Sequence, residues 1–598
     1  MENRASSHDS RGCGRRPPAR LAVLVPLLLF LVLPAGAPAA WAKPGPASDF
    51  DSKLAANYLA GLHAEHTQDY ASASEFFARV FAADPDNREL GDRSLMLHVS
   101  AGHFDRALEA AQRLRALDHS HALANMFLAM NAARGGHFTD AVRFLEEIPV
   151  KGLDRYTRPL FMAWAQVGQG KPDLAIKTLA RLSHSRAFAL FDDLHAGFIH
   201  DLEGNAAAAE NRYRAAYGAS PEPSLRLAAA LASFYARQGR IVEAREIYRE
   251  FQDTREGSAL VASLTGDLDE GRAMPPMVGA PAEGLAEAAL NFAHALESEN
   301  ANTLALLYVR FALFLKPEFP EAKLLVGDIL RDQGRYEDAV RLYGEVSTLS
   351  PYGREARIRK AEALHRLGRS KDAAKLLRQL IDERADYLAA LTTLGDILRD
   401  SEKFDEAVAV YDKAVAAVQP VEKHHWGLLY ARGIALERAK EWRRAETDFL
   451  RALELEPDQP FILNYLAYSW VEQGINLPRA RSMIERAVRR RPNDGYIVDS
   501  LGWVLYHLGD YERAAESLER AAELVPHDST INDHLGDAYW RVGRRLEARF
   551  QWSRALLFDP TEELLASITR KLEHGLTDPA RSEAHSNSAA GAGESAVP

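Results

Sequence analysis

The chain has 598 residues, 47% hydrophobic and 26% charged, and its 73 basic and 84 acidic side chains give a formal net charge of −11. A chain this acidic offers no basic stripe with which to neutralise phosphates, which excludes nucleic acid as its general partner. The only cysteine, Cys13, lies ahead of the apolar N-terminal run, so everything after that run is barred from disulfides and cysteine-ligated metal sites.

In chain order, the first segment reads as a targeting signal. Arg11, Arg15, Arg16 and Arg20 precede the apolar run Leu21 to Leu33, and Ala40-Trp41-Ala42 supplies small residues two apart where a signal peptidase would cut. Residues 1–42 are therefore expected to be a signal peptide cleaved near Ala42, with export to the periplasm. Residues 21–42 carry no charge and would span a bilayer if left uncut, so the alternative is a retained N-terminal membrane anchor. Pro26, Pro34, Pro38 and the small-residue end favour removal. Pro17 and Pro18 after Arg15-Arg16 do not fit a twin-arginine signal, and the absence of a cysteine just after the apolar run argues against lipid attachment. Without residues 1–42 the net charge becomes about −14.

From about residue 54 onward a repeat dominates. Alanines stand at Ala73, Ala107, Ala141, Ala175, Ala209, Ala244, Ala305, Ala339, Ala373, Ala407, Ala445, Ala480, Ala514 and Ala548, with nearly every step 34 residues. The fourth and seventh positions after each are apolar, as in Phe77 and Val80 or Leu518 and Ala521, which is one face of an amphipathic helix. Twelve residues before the alanine comes a small residue in most units, such as Gly327, Gly395, Gly502 or Gly536, where helices can approach closely. Five residues before it stands a turn-maker, often Gly, that ends one helix before the next begins. About twelve residues after it comes a proline such as Pro457 or Pro526, which closes the unit.

The unit Leu501-Gly502, Leu505, Gly509, Tyr511, Ala514, Leu518, Ala521, Pro526 resembles the tetratricopeptide repeat over roughly residues 54 to 560. The resemblance implies an all-α TPR α-solenoid, a right-handed superhelix of about fourteen helix-turn-helix repeats, with the first helix of each pair lining a concave groove. The step of 61 residues between Ala244 and Ala305 and the turn-rich stretch around Pro275, Pro276 and Pro281 set the expected division. It runs as an N-terminal block at 54–256, a linker or insertion at 257–284, a C-terminal block at 285–560, a capping helix at 561–576 and a disordered tail at 577–598. Thr561 is the expected N-cap of the capping helix.

No phosphate-cradling glycine loop, Gly-x-Ser-x-Gly elbow or His-Glu-x-x-His helix occurs. His63 with His66, and His424 with His425, lack a third ligand in view and read as exposed or capping histidines, so no metal, cofactor or catalytic residue is expected. Arg486, Arg489, Arg490 and Arg491 read as cations offsetting a helix C-terminus. Asp328, Arg331, Asp332, Asp396, Arg399 and Asp400 read as i, i+3 and i, i+4 charge pairs on a solvated face. The groove places of the last repeats hold Tyr430, Glu437, Tyr465, Ser469, Tyr496, Asp499, Trp503, Tyr506, His507, Asp533, Asp537, Trp540 and Arg541. That aromatic and acidic lining suits a polypeptide with some positive charge, because Tyr, Trp and Arg carry interface binding energy.

Phe461 to Trp470, Asp499 to Tyr506 and Asp533 to Arg541 are similar to bacterial cell-envelope TPR proteins, among them adaptors of carboxy-terminal processing proteases. The expected function is a non-enzymatic scaffold or adaptor in the periplasm, with protein partners, peripheral membrane association and no nucleic acid. One alternative is an assembly factor for outer-membrane proteins or exported polysaccharide. The other is a hydrolase or carbohydrate-active protein with a site at 257–284.

Overall fold

A computed structural model describes residues 49–576, apart from 183–187, 220–222 and most of 255–274. Among the described residues every regular element is helical. Fourteen helix pairs run from Asp49–His66 with Tyr70–Ala83 to Ser529–Arg541 with Arg545–Ala555, and one further helix, Glu562–His574, follows. Residues 1–42, expected to be a signal peptide, and the expected disordered tail 577–598 lie outside the described residues, among which no helix is long and apolar enough to cross a membrane.

The sequence ruler has a direct packing cause. All fourteen alanines are at most 1% exposed, and so are the residues four places on, from Phe77 to Trp552. The small residue of the first helix and the large one of the second, sixteen positions later, form a single contact. A Cβ at Gly395 would lie 2.5 Å from the Tyr411 ring, and one at Gly536 would lie 2.4 Å from that of Trp552. Only a hydrogen fits between helix backbone and ring. The next residue completes the unit where it is aspartate: Tyr343 donates to Asp328 (2.7 Å), Tyr411 to Asp396 (2.6 Å) and Trp552 to Asp537 (2.9 Å). The ring's polar tip is thus satisfied inside the helix pair.

The turn five places before each alanine needs a left-handed backbone. All nine glycines there, from Gly102 to Gly543, have φ between 73° and 85°. Where glycine is missing, Gln68, Asn300, Glu402 and Lys440 take φ of 59° to 65° at the equivalent place. The turn geometry therefore belongs to the fold, and glycine merely lowers its cost.

Compact packing divides the chain into two units that meet in sequence at Ala385 and Asp386. The expected break at 257–284 is not where this grouping changes. The pair Pro281–Ser298 and Asn302–Leu315 packs on the first helices Arg88–Ala101, Ala122–Arg134, Asp154–Gly168 and Ala189–Leu202 of the preceding repeats. Aromatic rings form the seam: Phe292 stacks on Phe191 at 5.3 Å, Phe314 meets Phe127 at 5.2 Å and Tyr308 faces Phe161 at 6.3 Å. Gly284 lies against the Trp164 ring, whose Nε1 donates to His195 Nδ1 at 2.9 Å. Burial holds His195 neutral, with its pKa depressed to about 3.

Arg226 pairs with Glu287 and Glu321 beside this seam. Asn302–Leu315 buries residues all round, including Leu306, Leu307, Tyr308, Val309, Phe311 and Phe314, as a helix enclosed by others must. The face that a repeat of this kind offers to partners is therefore covered, in this unit, by the chain's own later helices. From the insertion, Val261, Leu264, Leu268 and Val278 are buried in the same core, and the helix begins at Pro281 rather than 285; half of 257–284 lies outside the described residues.

The second unit stacks the pairs from Leu388–Asp400 to Arg545–Ala555. Its last helix starts at Thr561, whose hydroxyl accepts from Leu564 N at 3.2 Å, and it buries Ile568 completely.

Candidate partner-binding surface

Within the second unit the first helices Trp426–Arg438, Pro460–Glu472, Gly495–His507 and Ser529–Arg541 present the residues singled out from sequence. They separate into two aromatic clusters and a set of inward charges.

Tyr430 and Tyr465 form the first cluster. Their rings meet edge-on at 6.0 Å, both contact Phe449, and Tyr465 donates to Glu437 at 3.2 Å. Burial and the Glu437 charge push the Tyr465 phenol well above its usual pKa, so it stays a neutral donor.

Trp503, Tyr506, His507 and Arg541 form the second. Trp503 is half-buried and stacks on Tyr506 at 4.9 Å and on His534 at 3.8 Å, with His507 edge-on at 4.8 Å. Its Nε1 donates to Glu472 of the preceding repeat at 2.7 Å, and Arg541 Nε donates to the Tyr506 hydroxyl at 3.2 Å. Residues one repeat apart therefore fix each other's ring planes, leaving amphipathic edges at the surface.

Asp499, Asp533, Asp537 and Trp540 depart from the expected lining. The three aspartates are at most 5% exposed. Asp499 holds His534 Nδ1 at 3.0 Å. Burial alone would lower the His534 pKa, but Asp499, Asp533 and Asp537 outweigh it and raise the value. Lys571 of the final helix reaches inward to Asp533 (2.7 Å) and Asp537 (2.8 Å). Burial and the Asp533 charge push Asp537 up to about 6 despite the lysine. Trp540 packs on Trp552 at 5.3 Å and lies under Gly575, whose Cβ position would be 2.1 Å from the ring. At the last repeat Lys571 and Gly575 lie against Asp533, Asp537 and Trp540, while Asp499 is taken up by His534 of the next repeat.

Two groove residues went unread in the sequence: Glu472, which holds Trp503, and His534, on which Trp503 stacks. The Gly-Asp pair followed by an aromatic fifteen residues on, seen three times, is the signal that would have assigned Asp537 to its own repeat.

Of the charge runs, Arg486 and Arg490 pair with Asp458 of the preceding repeat instead of serving a helix C-terminus alone, while partly buried Arg331 pairs with Asp328 three residues before it (3.0 Å) and with its neighbour Asp332 (2.9 Å). Arg399 does the same with Asp396 (3.2 Å) and Asp400 (3.1 Å). His425 Nδ1 accepts from the Glu422 amide at 3.0 Å, a cap. Among the described residues no group of three or more His, Cys, Asp or Glu could hold a metal ion. Ser500, beside Asp499, donates its hydroxyl to Tyr496 O at 3.0 Å.

Stacked helix pairs with small-residue seams and a row of half-buried rings define a helical-repeat scaffold. Tetratricopeptide-repeat models match residues 96–152, 290–354, 392–460, 430–494 and 476–529, a second such model matches 330–395, and a third matches 225–250. The chain belongs to the tetratricopeptide-repeat family.

Among curated proteins it is similar to the human protein O-mannosyl-transferase TMTC1, 27% identical over 182 residues, which is 29% of this chain and 20% of that protein. It is also similar to a TPR repeat-containing protein of Pseudomonas aeruginosa, 28% identical over 180 residues, 29% of each chain. It thus spans less than a third of either relative's length. Among solved structures it is similar to the APC/C hetero-tetramer Cut9-Hcn1, with 13% identity, 88% of this chain and 97% of that one covered and a TM-score of 0.37. Yeast Tom70 shows 14% identity, 90% and 99% coverage and a TM-score of 0.34.

Proposed function

We propose that this chain is a non-enzymatic scaffold that holds a polypeptide partner against the first-helix face of its second unit. The observation that carries the reading is the Trp503, Tyr506, His507 and Arg541 cluster, whose Trp, Tyr and Arg are residue types of high interface energy, oriented by bonds across three successive repeats. Tyr430 and Tyr465 extend it. The corresponding face of the early repeats, in the first unit, is covered by Pro281–Leu315.

A photo-crosslinking residue at position 507 should yield partner adducts, and one at the exposed Glu516 of the second helix should not. Trp503→Ala with Tyr506→Ala should abolish the adduct while circular dichroism stays unchanged. Equal crosslinking from 507 and 516, or full adduct yield in the double variant, rules the reading out.

The reading extends to an exported protein of the bacterial envelope whose partner is a carboxy-terminal processing protease or its substrate. Its support is the basic, apolar and small-residue order of residues 1–42 and the likeness of the stretches at 461–470, 499–506 and 533–541. Mass spectrometry of the native N-terminus should place it just after Ala42; a cytoplasmic chain with an intact start refutes the export.

A further inference from the structure

Trp503 rests on a titratable neighbour. The His534 ring of the next repeat lies parallel to the indole, at 3.8 Å and 11°, and its Nδ1 meets Asp499 Oδ1 at 3.0 Å and Oδ2 at 3.2 Å. Asp499 stands one turn before Trp503 on Gly495–His507, so a single imidazole ties a surface ring to a buried carboxylate of the same helix. That carboxylate belongs to a residue only 2% exposed, and its one ion pair among the described residues is with His534.

The other charges around the imidazole are engaged elsewhere. Asp533 and Asp537, on its own helix, take Lys571 of the final helix at 2.7 and 2.8 Å. Arg541, further along that helix, donates to the Tyr506 hydroxyl. On the preceding first helices, Glu472 accepts from Trp503 Nε1 at 2.7 Å, and burial holds the His507 pKa below 6.5. On the second-helix side of Ser529–Arg541, Glu519 pairs with Arg544 and accepts from Tyr539, while Arg545 and Arg549 sit over the Trp540 ring. Burial lowers the His534 pKa, but Asp499, with Asp533 and Asp537, raises it above 6.5.

As an imidazolium, His534 sets a positive charge on the face of the indole and neutralises Asp499. As a neutral imidazole it gives up both roles. The indole face loses its cation, and a buried carboxylate is left without counter-charge, a state relieved only by moving the groups apart or admitting water.

We propose that His534 is a proton-operated gate on the partner surface: its imidazolium clamps Trp503 in place, and loss of that proton loosens the indole and weakens the hold on a polypeptide. The inference rests on the Trp503 cluster being the partner surface and supplies its regulation. Without the clamp Trp503 keeps its Glu472 bond and its contacts with Tyr506 and His507, so binding weakens rather than vanishes.

The test labels the full chain with 5-fluorotryptophan, assigns the Trp503 signal by its loss in Trp503→Phe, and titrates from about pH 5 to about pH 9. The Trp503 fluorine shift should move with a midpoint above 6.5. Asp537, at about 6, and His507, below 6.5, titrate too low to supply that step. His534→Gln should flatten it, and Asp499→Asn, which keeps the ring, should carry its midpoint downward. With the photo-crosslinking residue at position 507, adduct yield should fall about three- to tenfold from about pH 6 to about pH 8.5, and stay level in His534→Gln. A Trp503 signal with no step above 6.5, a step that survives His534→Gln, or a level adduct yield while the fluorine shift moves overturns the proposal. No adduct at either pH refutes the groove reading, and the fluorine titration, which needs no partner, still decides whether the proton moves the ring.

Discussion

Replacing Lys571 with alanine tests the account of the last repeat most sharply. The Lys571 side chain is 14% exposed, and the side chains of the carboxylates it joins, Asp533 and Asp537, are 6% and 7% exposed, so solvent screens the cluster little. Removing one partner from such a buried group leaves uncompensated charge, at a cost of about 3–5 kcal/mol. Asp537 limits the loss. Its pKa already stands at about 6, through burial and Asp533, and without the lysine it rises further. A carboxyl raised in the folded state binds a proton that the unfolded chain has released, so its stability contribution falls as pH rises from the usual value of about 3.9 through the folded one.

The variant should therefore lose about 3 kcal/mol at pH 8 and about 1 kcal/mol at pH 5. Adding Asp537→Asn should restore most of the loss at pH 8, since the amide oxygen can still accept from Trp552 while one buried charge is gone. A solenoid opens locally, so the readout is hydrogen exchange in Ser529–Arg541 and Glu562–His574 rather than a global midpoint. A loss under about 0.5 kcal/mol at pH 8, or one independent of pH, would refute the reasoning.

Arg226→Ala should cost the first unit about 3–5 kcal/mol in urea denaturation, because Glu287 and Glu321, 1% and 14% exposed, lose their shared cation; a variant within about 1 kcal/mol of the parent contradicts this. Gly395→Ala should cost about 1–3 kcal/mol, since its Cβ would sit 2.5 Å from a Tyr411 ring pinned by Asp396, and an unchanged melting curve would show that the ring can move aside. The raised His534 pKa stabilises the fold fully below the usual imidazole value of about 6.5, and that share is lost as pH climbs through the folded value. Exchange protection of Ser529–Arg541 should fall accordingly, and Asp499→Asn should lower the imidazole pKa read by NMR; no shift would break the link.

The repeat was legible because each unit states its own packing. The glycine of the first helix, the alanine and the ring of the second answer to contacts within one helix pair, so their spacing shows in the sequence as it stands. The turn was legible for the same local reason, and even Gln68 and Lys440 obey it. Trp503, Tyr506 and His507 share one helix at i, i+3 and i+4, and Arg541 stands 34 residues after His507, so local spacing and the repeat together bring them near one another. The surroundings of Asp533, Asp537 and Trp540 were not legible, since what fills the space beside them is Lys571 and Gly575 of a helix outside the repeat pattern.

The amino-acid order alone determined that helices pair, where they turn and which side of each is buried, because those choices depend on residues at most a few turns apart. Only the tertiary structure decided which groove stays open. Whether Pro281–Leu315 lies back on the early repeats, or Lys571 on the last, depends on side chains far apart in sequence meeting in space, and no local period encodes such a meeting.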